Sequence, residues 1–182
     1  NEYVTGGLPI VHPPVDEALT RIGEAIDAAV AAGLPVVAVR HTEPDPSGGI
    51  FVAGTPAWEL HDVVASRHHD VVIDKRLPGS FTGTPLQDWL SERGIDHVVI
   101  AGWMTHMCVD STTRQAMHRG YDVTVLVDAP GTIDVADDLP AALVHRVELG
   151  VLGDGFAQLR STADWVADLA RSEERRVGKE CT

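Results

Sequence analysis

Cys108 is the residue in this sequence whose setting could do covalent chemistry. It stands in Ala101-Gly102-Trp103-Met104-Thr105-His106-Met107-Cys108-Val109. The preceding run, His97-Val98-Val99-Ile100-Ala101, reads as a buried strand that ends at Gly102. A tight connection follows, and a helix is expected from about Met107 to Arg119, stopped by Gly120. In open α/β sheets, ligands bind just beyond the carboxyl ends of strands. A thiol at a helix N-terminus also faces unpaired backbone N–H groups and the positive end of the helix dipole. Both favour thiolate over thiol, below the usual value of about 8.5. The same N–H groups could hold an oxyanion. A lone cysteine is equally at home as a small buried hydrophobe, and placement alone leaves both readings open.

The elements that must position this residue alternate between two periodicities. Val15, Ala18, Leu19, Ile22, Ala25, Ile26, Ala29 and Val30 recur at helical spacing, and Gly33 stops the helix. Pro35-Val36-Val37-Ala38-Val39 is a short, wholly apolar run, which suits a strand buried on both faces. From about His41 to Arg67 runs a Pro- and Gly-rich loop, and a loop of that length in a compact domain is usually functional. Val71-Val72-Ile73 predicts a strand. Thr84-Pro85-Leu86-Gln87 predicts a helix start, with Thr84 as N-cap, Pro85 in the first helical position and Gln87 closing a capping box. Gly94 ends that helix. A strand is expected over Val123–Val127, a helix over Pro140–Leu149 ended by Gly150, a short strand over Phe156–Leu159, and a last helix capped by Ser161 and ending near Ala170. This alternation predicts an α/β domain, a parallel sheet with helices on both faces. No internal repeat, domain linker or Gly-rich phosphate loop appears.

Composition narrows the function. The 182 residues suit one domain, and 44% hydrophobic with 23% charged residues is an ordinary globular balance. A net charge of −13 repels phosphate backbones and argues against nucleic-acid binding. No apolar run is long enough to span a bilayer, and no signal peptide is visible. Cys108 and Cys181 do not form a disulfide framework, so a reducing cytoplasm is the expected compartment. The stretch from Arg171 to Cys181 resembles the in-frame translation of a sequencing-adapter oligonucleotide. Residues 171–182 are therefore expected to be a non-native or disordered tail behind a domain over 1–170. Discounting the tail leaves Cys108 as the single credible cysteine.

Two further blocks accompany the cysteine segment. Gly102 to Val109 continues with Thr112 or Thr113, Arg114, Ala116, Gly120-Tyr121 and Asp128-Ala129. Upstream lie Ile73-Asp74-Lys75 and Ser80-Phe81-Thr82-Gly83-Thr84-Pro85-Leu86, and the chain opens Asn1-Glu2-Tyr3. Taken in order, these resemble the signature of the isochorismatase-like cysteine hydrolases: the cysteine block, the Lys segment with its "F-x-G-T-x-L" helix start, and the end of an opening "D-x-Q-N-D-F". The resemblance runs from residue 1 to about residue 170. It implies a three-layer, Rossmann-like fold whose first central strand is missing from this chain. It implies a triad of Asp, Lys and Cys, with Cys108 as nucleophile and Lys75 stabilising charge beside the thiolate. It also implies an oxyanion hole from the backbone N–H groups of Met104 and Cys108, and a cis peptide between Trp103 and Met104. The family's aspartate, general base and then acid, would lie three residues before the position matched by Asn1. The chain is therefore expected to be N-terminally truncated.

The nicotinamidase branch of this superfamily carries an Asp-x-His metal pair after its second strand. Here that stretch reads Arg40-His41-Thr42-Glu43 and lacks the pair, so no metal and no cofactor are expected. Most of the nine histidines, His41 and His61 among them, are read as surface or loop residues. Isochorismatases proper lack the cysteine, so Cys108 points instead to hydrolysis of a C–N bond of amide or carbamoyl type. Tyr3, Phe81, Trp103 and His106 are the expected walls of a small, partly apolar substrate pocket, although ordinary core packing accounts for Phe81 equally well. The expected partner is a small molecule, with no nucleic acid and no membrane, and the expected assembly is a homo-oligomer, as relatives often form. Two other readings remain: a non-catalytic member that binds a small ligand or a partner protein, and a redox-sensing thiol. The latter calls for a resolving thiol, which the discounting of Cys181 removes.

Overall fold

The computed structural model describes residues 1–45 and 47–180. The first helix, α1 (Val15–Ala31), forms because its apolar residues fall on one stripe: Ala18, Leu19, Ile22, Ala25 and Ala29 are all buried. Asp16 and Glu17 sit in its first turn, where the helix dipole favours them. Two strands follow, β1 (Val37–His41) and β2 (Val71–Lys75), paired in parallel from Val37↔Val71 to His41↔Lys75. Between them run the long loop and a short helix, α2 (Asp62–Ala65), whose N-terminus is capped by His61 Nδ1 accepting from the Val63 N–H at 3.2 Å. His61 is thus a helix cap.

After β2 come α3 (Leu86–Ser91), β3 (His97–Trp103), a π-helical turn (Thr105–Val109), α4 (Asp110–His118), β4 (Asp122–Gly131), α5 (Ala141–Gly155), β5 (Gln158–Arg160) and α6 (Thr162–Glu180). The strands β3, β4 and β5 form a second parallel sheet in that order. Successive residues of β4 point to opposite faces. Val123 and Val125 pack with Leu86, Leu90, Ala116 and Leu152 on the α3–α4–α5 side. Leu126 packs with Ile22, Ala25 and Trp165 on the α1–α6 side. Helices thus cover both faces of parallel strands, the α/β layering expected from the sequence.

Several details depart from expectation. Thr84 lies one residue before the α3 cap position, held by Pro85. Its hydroxyl donates to the Ser80 carbonyl and accepts from the Leu86 N–H at 3.3 Å. Gln87 closes no capping box, because its amide donates to the Tyr121 hydroxyl at 2.9 Å and to Ser91 Oγ at 3.1 Å. Gly150 does not end α5, which runs on to Gly155, and α6 passes Ala170 to reach Glu180. Cys181 lies outside the described residues.

Nor are the strands buried on both faces throughout. Between β1 and β3, the facing edges of the two sheets, lies a cavity of about 880 Å3. Its walls include Val37, Val39, Val99 and Ala101 from the strands, and Leu19 and Ala25 from α1. The opening leaves Val99 37% exposed in a position the sequence pattern reads as core. Among the described residues no strand joins the two sheets.

Candidate active site

The carboxyl ends of β1, β2 and β3 converge at one end of this cavity. Lys75, the last residue of β2, is 4% exposed. Its ammonium donates to Cys108 Sγ at 3.1 Å and to the Leu77 carbonyl at 3.0 Å, and lies 3.3 Å from His41 Nδ1. Burying a charge this completely is costly without an opposing partner. Among the described residues no carboxylate bonds to this ammonium, and the sulfur is the atom beside it able to carry negative charge.

Cys108 is carried by a connection with unusual backbone. Gly102 adopts φ +108°, open to glycine and strained for other residues. The next peptide bond, Trp103–Met104, is cis, as the family resemblance implies. The chain then enters the π turn two residues earlier than the sequence pattern places the helix. Val109 N–H reaches back five residues to the Met104 carbonyl at 3.1 Å. Such widened turns occur often at functional sites. Thr105, wholly buried, pins the turn from below through its hydroxyl, 2.9 Å from His145 Nδ1. Burial and the neighbouring His12 hold the pKa of His145 below the usual range, with a smaller opposing effect from the Val127 backbone.

Tyr3 approaches from the chain's first turn. Burial drives its hydroxyl pKa far up, and the charge of Cys108 and a hydrogen bond with it add to the shift. The phenol therefore stays protonated as a donor beside the sulfur. Its ring meets Phe51 at 5.3 Å and Trp103 edge-on at 5.9 Å, while Phe51 meets His41 at 4.9 Å. Phe51 has φ +55°, a conformation few bulky residues adopt. The buried Glu2 carboxylate holds it there, accepting from the Phe51 N–H at 3.3 Å and from the Gly7 N–H at 2.5 Å.

Of the residues read from sequence, Tyr3, Phe81, Trp103, Lys75 and Cys108 all line this one cavity. His106 is not among its walls. Its Nδ1 instead lies 2.5 Å from Thr132 Oγ1, just past β4, because the earlier start of the turn rotates the side chain away. Met104 is buried at the head of the π turn, with Cys108 inside it. His41, read as a loop residue, is the last residue of β1 and touches Lys75. Glu2 and Phe51 were not singled out by sequence either. The sequence carried no signal for His41: its meeting with Lys75 comes from the ladder register, in which the last residues of β1 and β2 face each other. Among the described residues no group of three or more His, Cys, Asp or Glu side chains is placed to hold a metal ion, and no helix is long and apolar enough to cross a membrane.

The isochorismatase domain model matches residues 4–164. The chain belongs to the isochorismatase family. Its fold is similar to that of a putative isochorismatase from Burkholderia xenovorans LB400, with a TM-score of 0.89, 39% identity, and coverage of 100% of this chain and 94% of that one. In sequence this family member is 34% identical to the secreted isochorismatase effector Isc1 of Verticillium dahliae, over 90% of this chain and 84% of that protein. It is also 28% identical to the ureidoacrylate amidohydrolase RutB of Methylobacterium radiotolerans, over 85% of this chain and 66% of that protein. The isochorismatase family thus includes hydrolases among this chain's relatives.

Proposed function

We propose that this isochorismatase-family chain is a thiol hydrolase that cleaves a C–N bond, of amide or carbamoyl type, in a small molecule. The observation that carries the reading is the buried Lys75 ammonium 3.1 Å from Cys108 Sγ, beside a cavity with aromatic walls. The amidohydrolase among the relatives supports the bond type.

In the proposed cycle, Cys108 attacks the substrate carbonyl as thiolate and a C–S bond forms. The developing oxyanion sits against the backbone N–H groups of Met104 and Cys108, and Lys75 balances the negative charge throughout. The C–N bond breaks, and the nitrogen leaves as ammonia or an amine after gaining a proton. Water then cleaves the thioester or thiocarbamate and restores the thiol. Tyr3, Phe81 and Trp103 hold the body of the substrate, and His106 acts from behind by fixing the turn. The cycle draws on no metal or cofactor. The family resemblance gives the proton transfers to an aspartate on a central strand. The cavity between β1 and β3 has the open edges and apolar walls that such a strand would fill. The expected substrate is a small molecule, since the charge of −13 disfavours polyanions, and the homo-oligomer rests on the family resemblance alone.

The second reading is a ligand-binding member without turnover. A panel of small primary amides, N-carbamoyl compounds and matched esters separates the two. The hydrolase reading expects release of ammonia or amine from at least one compound, in equal amount to the carboxylic or carbamic product. Tight binding with no release across the panel would establish the second reading instead.

A further inference from the structure

Lys75 has three N–H donors and no acceptor. Three acceptors surround it: Cys108 Sγ at 3.1 Å, the Leu77 carbonyl at 3.0 Å and His41 Nδ1 at 3.3 Å. The carbonyl accepts in any state. The imidazole accepts only when Nδ1 is bare, which requires a neutral ring with its proton on Nε2.

We infer that His41 is a positioning residue of the site: as a neutral Nδ1 acceptor it fixes the third proton of the Lys75 ammonium and so keeps another aimed at Cys108 Sγ. This rests on the thiol-hydrolase reading and adds a residue to it. The ladder register sets the pair, because His41 and Lys75 are the paired last residues of adjacent parallel strands. Phe51 closes over the ring at 4.9 Å. The charged groups acting on His41 are Lys75, from β2, and Glu43, from the loop that follows His41. Burial first and the Lys75 charge second lower the pKa of His41, and Glu43 opposes them weakly. The ring is therefore neutral at and above neutral pH. Acidification puts a proton on Nδ1, so that two donors face each other, and the ammonium must turn away. The alignment on sulfur is present above the pKa of His41 and lost as the pH falls through it, below 6.5.

Two substitutions test this. His41→Asn can place a non-titrating amide oxygen near the position of Nδ1, and His41→Ala removes the acceptor. Both lose the ring packed under Phe51, so a purely structural role affects them equally. The readout is the rate of Cys108 alkylation by iodoacetamide across pH 5 to 8, which needs no substrate. His41→Ala is expected to react about tenfold more slowly than the parent at pH 7.5, the scale of one lost hydrogen bond. His41→Asn should stay within about threefold of the parent there and lose reactivity less steeply on the acid side. Equal rates for Ala and Asn, or acid limbs of the same steepness in parent and Asn, would overturn the inference. A parent that alkylates as described but hydrolyses no amide would instead remove the hydrolase reading and leave the positioning role of His41 standing.

Discussion

Cys108→Ala should lower kcat for amide hydrolysis by about 10^4-fold or more, because removal of a covalent nucleophile takes away the whole route and not a fraction of it. The fold should survive. Cys108 is half-buried in a turn held by other groups, with Thr105 anchored on His145 and Val109 bonded back to Met104. The change removes one sulfur, and its effect on unfolding in urea should be about 1 kcal/mol. Cys108→Ser is the sharper control. Its hydroxyl keeps the shape but is a far weaker nucleophile at neutral pH, so it should be nearly as inactive as Ala. Turnover by either variant near the parent rate would remove the cysteine from the chemistry and leave Cys108 as a packing residue.

Lys75→Met should cost about 10^2- to 10^3-fold in kcat/KM, the scale of losing one preorganised electrostatic partner. The side chain is 4% exposed, and methionine fills the same channel without the charge, so stability should change little or rise. Lys75→Arg should not restore activity. A planar guanidinium cannot aim single N–H groups at a sulfur, a carbonyl and an imidazole from the space one ammonium occupies. Alkylation of Cys108 at pH 7 should slow in Lys75→Met, because the thiolate loses its buried counter-charge. Unchanged kcat/KM in Lys75→Met would show that the contact is structural.

Much of the scaffold was legible in the sequence. The apolar spacing of α1 from Val15 to Val30 allowed one reading, and the structure buries Ala18, Leu19, Ile22, Ala25 and Ala29 but leaves Val30, read on the same face, exposed. Strands such as β4 announced themselves by β-branched runs between glycines. The meeting of Lys75 with Cys108 came from the family resemblance, since nothing in their separation along the chain predicts contact. His106 was misplaced for a specific reason. Two residues of helical phase separate a turn that opens at Thr105 from one that opens at Met107, enough to send a side chain to the opposite side. His41 was missed because ladder register is a property of two strands together. The exposure of Val99 was hidden too: its pattern is that of core, while its burial depends on what lies beside β3.

The central claim is that Cys108 becomes covalently bonded to the substrate. It is tested most directly by quenching the protein in acid during turnover of a slow amide and weighing the intact chain. A mass increase equal to the acyl or carbamoyl group, mapped to the peptide containing Cys108 and released by hydroxylamine, is the expected result. Steady turnover with an unmodified chain at every quench time, and with the Cys108→Ala protein equally active, would contradict it.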